Sequence, residues 1–214
     1  MSQANWKKFL TDSSAPSPEL DWAQAHAGLV DAWEAAPDGP GLLWLALMTA
    51  GQDTTKRRVI VRGLLDMVVS QAILVTNEEL KLTFDTLEVQ LLSVVESKED
   101  DSQFVFLTMV IQAALARSND DLLASVKVRP FVLDPQFLVV TALCNVAQVL
   151  TADNPGSALV LAQNCLGSML GVWGRLGLIP APGGAAEQAK KAGEMVRHHL
   201  AGYNVAAIAT ELNL

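Results

Sequence analysis

Residues 154–177 read NPGSALVLAQNCLGSMLGVWGRLG, and from Asn154 to Gly174 they carry no charge. Twenty-one uncharged residues are long enough to cross a bilayer as a helix. They are also what the inside of a helical bundle looks like. The run before it, residues 135–152, is uncharged too, and Asp153 alone separates the two. Lys127, Arg129 and Arg175 would lie on one side of such a hairpin, as the positive-inside bias asks. Against this, the two runs hold Gln136, Thr141, Asn145, Gln148, Asn154, Ser157, Gln163, Asn164 and Ser168. In hydrocarbon each such group without a partner costs several kcal/mol. Trp173 marks one end only, so there is no aromatic belt. The expectation is therefore a pair of helices packed against protein, with a membrane hairpin over 135–174 as the competing reading. Gly167, Gly171 and Gly174 then form the candidate helix–helix interface, since glycine lets a neighbouring helix come close.

The rest of the chain is punctuated in the same helical way. Ser17-Pro18, Asp134-Pro135 and Asn154-Pro155 are cap-plus-proline starts, and the helix opened by the first is expected to run to about Ala36, before Pro37. Asp53 caps a helix expected over about 54–75, and Thr76 with Glu79 fits a capping box. The helix that follows places Leu80, Phe84, Leu87, Leu91 and Val94 at spacings of 4, 3, 4 and 3, one apolar stripe. A helix from Asp100 or Asp101 to about Ser118 is apolar almost all round and is expected to be central. A short one follows over Asn119–Val126. The expected fold class is all-α, an irregular bundle of about ten helices with one core and a short C-terminal helical appendage. Its divisions are an N-terminal tail over 1–16, a bundle over 17–178, a Pro/Gly linker over 179–184 and the appendage over 185–214.

Composition narrows the function. The 214 residues are 50% hydrophobic and 18% charged, with a net charge of −8. A chain this long buries roughly 70% of its unfolded surface and needs no staples. Residues 1–107 carry 8 basic and 16 acidic groups, against 7 and 7 in 108–214, so the whole excess lies in the first half. An acidic surface repels phosphate backbones, so nucleic acid is not expected as a partner of this chain alone. Cys144 and Cys165 lie in apolar helical runs and are expected as buried free thiols. The first twenty residues lack the apolar core of a signal peptide, which points to a cytoplasmic protein.

No catalytic residue, metal or cofactor is assigned. The histidines are His26, His198 and His199, and Glu194 with His198 supplies two ligands of one helix face, too few for a site. The nucleophile-elbow and phosphate-loop patterns are absent. Trp22, His26, Leu29 and Trp33 fall at spacings of 4, 3 and 4, and Trp44 follows in the next helix. They form either a core stripe or an aromatic pocket for a small apolar ligand, with His26 as its polar handle. Lys56, Arg57, Arg58 and Arg62 are the densest basic cluster, a candidate anion or partner patch, and the first three oppose their own helix dipole.

Leu200–Leu214, LAGYNVAAIATELNL, resembles the first helix and incipient turn of a bacterial helix-turn-helix: a glycine before the helix, an Ile-Ala pair facing inward and a closing leucine. The resemblance covers about 15 residues and stops before the recognition helix, so it brings no base readout. The leading expectation is a non-catalytic protein that acts through protein–protein contact, as a homo-oligomer. The alternatives are a small-molecule-binding regulatory domain and a helical enzyme of unfamiliar type.

Overall fold

The computed structural model describes residues 3–13, 17–96, 134–178 and 185–214. Ten α-helices occur among them, with no strand: α1 (Gln3–Asp12), α2 (Ser17–Gln24), α3 (Leu29–Ala35), α4 (Gly39–Ala50), α5 (Thr54–Val69), α6 (Glu78–Glu96), α7 (Pro135–Thr151), α8 (Pro155–Arg175), α9 (Ala185–His199) and α10 (Val205–Leu212). One 3-10 turn, Ala72–Leu74, follows α5. The fold is all-α, as the punctuation implies. The helices expected over 100–118 and 119–126, and the linker over 179–184, lie outside the described residues.

The caps explain where most helices begin. The Asp53 carboxylate accepts from the amides of Thr55 (2.9 Å) and Lys56 (3.1 Å). Asp134 accepts from Gln136 N–H and Asn154 from Ser157 N–H. Each satisfies amides that the first helical turn leaves without partners. At α6 the cap is Asn77, not Thr76: its side-chain oxygen accepts from the amides of Glu79 and Leu80, both at 3.1 Å. The Thr76 hydroxyl and amide instead donate to Gln136 Oε1 at the start of α7.

α4 sits at the centre. Leu42, Leu43, Trp44, Leu45, Ala46 and Leu47 are all fully buried, so this helix is covered on every side. α7 and α8 form the most extensive helix pair, joined by a short turn. α8 also packs on α4, and α7 on α5 and α6. The predicted stripe of α6 faces α5 and α7, with all five residues buried.

α8 answers the question its sequence poses. Ala158, Leu159, Ala162, Cys165, Leu166, Met169, Val172 and Trp173 face the core. Val160, Asn164, Gly167 and Gly174 face outward. The helix is amphipathic with a single charge, Arg175, in its last turn. The polar residues of both uncharged runs lie at or near the surface, none of them fully buried. No helix among the described residues is long and apolar enough to cross a membrane.

Four segments depart from the sequence reading. Residues 3–12, expected as part of a tail, form α1, with Trp6 and Leu10 only 1% exposed and the Trp6 indole donating to the Ala23 carbonyl at 3.3 Å. The helix expected over 17–36 is two helices, broken at 25–28. Amides of Ala25 and His26 bond back only three residues, and Gly28 is fully extended as the N-cap of α3. The helix expected to reach residue 75 ends at Val69. Residues 185–214, set apart by the linker before them, place Val196, Leu200, Tyr203, Val205, Ile208, Ala209 and Leu214 in the common core.

Candidate functional site

The broken first helix disperses the aromatic set. Trp22 meets His26 edge-on at 5.6 Å between ring centroids. Trp33 instead stacks on Tyr203, centroids 5.8 Å apart. The Tyr203 hydroxyl lies 2.8 Å from both the Ala46 carbonyl and the Thr49 hydroxyl. Burial raises the Tyr203 pKa to about 12. Trp44 is buried in α4. Trp22 with His26 and Trp33 with Tyr203 thus make separate ring contacts. Trp22 and His26 brace the end of α2, and Trp33 belongs to the seat of the C-terminal helices.

Trp44 does line a cleft of about 590 Å³ between the ends of α1 and α8. Its walls are Phe9, Trp44, Met48, Pro155, Leu159 and Val160, and its polar groups are Asp12, Ser13, Asn154 and Gln163. The Ser13 hydroxyl donates to the Leu10 carbonyl, and Asn154 is held by its cap bond. Trp44 Nε1 is buried and has no hydrogen-bond partner among the described residues. A buried donor left in that state costs about 1–3 kcal/mol. Sequence reasoning missed Phe9, Met48, Leu159 and the α1 wall because it read residues 1–16 as a tail. The signal was there: Trp6, Phe9 and Leu10 follow helical spacing.

The basic cluster is divided by burial. Lys56 bonds Glu211 at 2.7 Å and Asp53 at 3.4 Å, and its pKa is raised chiefly by the Glu211 bond. Arg62 lies 2.6 Å from Glu96 and 3.0 Å from Asp66. Arg58 also has a partner. Arg57 is only 5% exposed, and burial lowers its pKa while Asp153 opposes that shift. Its guanidinium donates to the carbonyls of Gly51 and Ala152, the C-caps of α4 and α7. Neither helix has a basic residue in its own last turn. Arg57 therefore supplies the positive charge that two helix C-termini favour. Arg197 does the same at the end of α3, donating to the carbonyls of Trp33, Glu34 and Ala36.

The glycines also sort by neighbour. Gly167 is exposed, and a methyl added there would meet nothing within 4 Å. Gly174 is exposed as well, while Gly171 faces Leu138 at 3.1 Å. The closest approaches occur elsewhere. A methyl on Gly39 would fall 2.7 Å from Leu166 Cδ2 and 3.1 Å from Val196 Cγ2. On Gly63 it would overlap the His199 carbonyl, and on Gly193 it would fall 3.3 Å from the Asp38 backbone. These three glycines seat α9 against α4 and α5.

Cys144 and Cys165 are free and buried, and burial pushes the Cys144 thiol up to about 12. Among the described residues no cluster of three or more His, Cys, Asp or Glu side chains could hold a metal ion. In comparisons with known proteins, no family model, curated protein or solved structure matches the chain.

Proposed function

We propose that this chain is a non-catalytic helical protein that works through protein–protein contact, and that its first partner is a second copy of itself. The observation that carries this reading is Gly167, exposed in the middle of a long helix whose one charge is Arg175 at its end, with nothing within 4 Å of where a side chain would be. Val160, Asn164, Gly167, Gly171 and Gly174 follow one another at spacings of 4, 3, 4 and 3 within α8, so they share one face. Val160 is 56% exposed.

Charge selects the occupant. Two copies that each carry −8 repel wherever their acidic faces meet. The face of α8 around Gly167 carries no acidic residue and no charge before Arg175 at its end, so two copies can approach there without opposing carboxylates, and Gly167 lets two helix backbones come close. Sedimentation velocity across a hundredfold range of concentration tests this. The wild-type chain is expected to associate reversibly, and Gly167→Leu to sediment as a monomer with thermal stability no lower than that of the wild-type monomer. A monomer at every concentration overturns the reading. So does an oligomer indifferent to Gly167→Leu, or a leucine variant that unfolds more easily, which would mean the face is already packed within its own chain.

A further inference from the structure

We propose that the cleft between α1, α4 and α8 is a binding site for a small, uncharged, largely apolar molecule that carries a hydrogen-bond acceptor. Three observations meet there. The volume, about 590 Å³, suits an organic ligand of ordinary size. The walls are aromatic and aliphatic, from Phe9, Trp44, Met48, Leu159 and Val160. Trp44 is fully buried, yet its indole N–H donates to nothing among the described residues. Buried donors are nearly always paired; Trp173 Nε1 is unpaired too, but of the two tryptophans only Trp44 is among the residues that line the cleft, where a ligand could supply the acceptor.

The rim defines what the ligand is not. Among the described residues Asp12 is the single charged one in the lining, with no lysine or arginine beside it. A carboxylate or sulfonate entering an apolar cleft would lose its water, face Asp12 and find no cation in return. Gln163 offers an amide at the edge, suited to a second polar atom of a neutral molecule. The site is separate from the α8 face proposed for self-association, although Val160 borders both.

Three fluorescent probes test this on the full-length chain: Nile red, which is neutral and bears a ring carbonyl; diphenylhexatriene, a hydrocarbon without an acceptor; and anilinonaphthalene sulfonate, an anion. Nile red is expected to bind saturably at one per chain, and the anion at least tenfold more weakly. Trp44→Phe keeps the ring and removes the donor. It is expected to weaken Nile red about tenfold and leave diphenylhexatriene unchanged. Gln163→Trp and Val160→Trp each fill the cleft from a position that is not buried, and both are expected to abolish binding while circular dichroism stays native. The proposal is overturned by the absence of saturable Nile red binding. It is equally overturned by binding that survives both filling variants, by an anion that binds as well as Nile red, or by a Trp44→Phe variant that loses both neutral probes alike. Because the readout is stoichiometry per chain, a monomeric protein that binds Nile red would refute the self-association and leave the cleft standing.

Discussion

Gly63 and Gly167 occupy equivalent places, each in the interior of a long helix, and they do opposite things. Gly63 lies against the His199 carbonyl and the Leu200 side chain, where α9 ends on α5. Gly167 belongs to the glycine pattern that stands out in the sequence, and its face is open. The lesson is physical. A glycine in a helix costs up to about 1 kcal/mol relative to alanine wherever it lies. Only a neighbouring backbone at short range repays that cost within the chain. At Gly63 the neighbour is present, and at Gly167 it must come from outside or the cost stands.

The sharpest way to break the contrast is Gly63→Ala. The added methyl meets a main-chain carbonyl that cannot rotate away, so the gain in helix propensity is overwhelmed. Urea denaturation is expected to show a loss of about 3 kcal/mol, with α9 and α10 loosened. An unchanged midpoint would mean that α9 is not seated as described.

Next in size is Arg57→Met. The basic cluster divides as the glycines do, into one member locked inside and others at the surface. Losing Arg57 strips two helix C-termini of a charged donor, and a loss of about 2 kcal/mol is expected. Arg62→Met removes an exposed ion pair and is expected to cost below about 1 kcal/mol. Equal effects in the two variants would show that Arg57 is not the tie between α4 and α7.

These pairs also show what was legible in the sequence. The α6 stripe, the Asp53, Asp134 and Asn154 caps and the all-α class follow from spacing and cap chemistry, which are local. The partners are not local. Nothing around Gly39 or Gly193 in sequence says that they meet α9 and Asp38. Nothing around Arg57 says that the carbonyl of Ala152 lies within its reach. The dispersal of Trp22, His26 and Trp33 turns on one extended glycine, Gly28, packed against Leu214 at the far end of the chain. The cleft needed α1, whose helical spacing was readable, and α8, whose neighbours were not.

Gly39→Ala is a milder form of the first test. Its methyl would press on the ends of the Leu166 and Val196 side chains, which can shift. A loss of about 1 kcal/mol is expected, after the helix-propensity gain is set against the crowding. Gly167→Ala has the opposite sign. In protein dilute enough to be monomeric, it is expected to stabilise by about 0.5–1 kcal/mol, because the methyl meets nothing. A loss there would place a hidden neighbour against α8.

The smallest expected effect concerns His199, whose carbonyl faces Gly63. Its ring is half-buried, and burial, with help from His198, lowers its pKa below the usual 6.5, while Asp66 pulls the other way. The folded protein therefore binds this proton less readily than the unfolded chain does. Above pH 6.5 neither state is protonated and the residue adds no pH dependence. As pH falls through that value the unfolded chain takes up the proton first, so stability declines, and it levels off once the folded ring is protonated too. His199→Gln is expected to flatten the fall in urea midpoint between pH 7 and pH 5 without changing the value at pH 8. Should the slope survive that substitution, the proton would belong to another group, and the end of α9 would be no more sensitive to acid than the open face of α8.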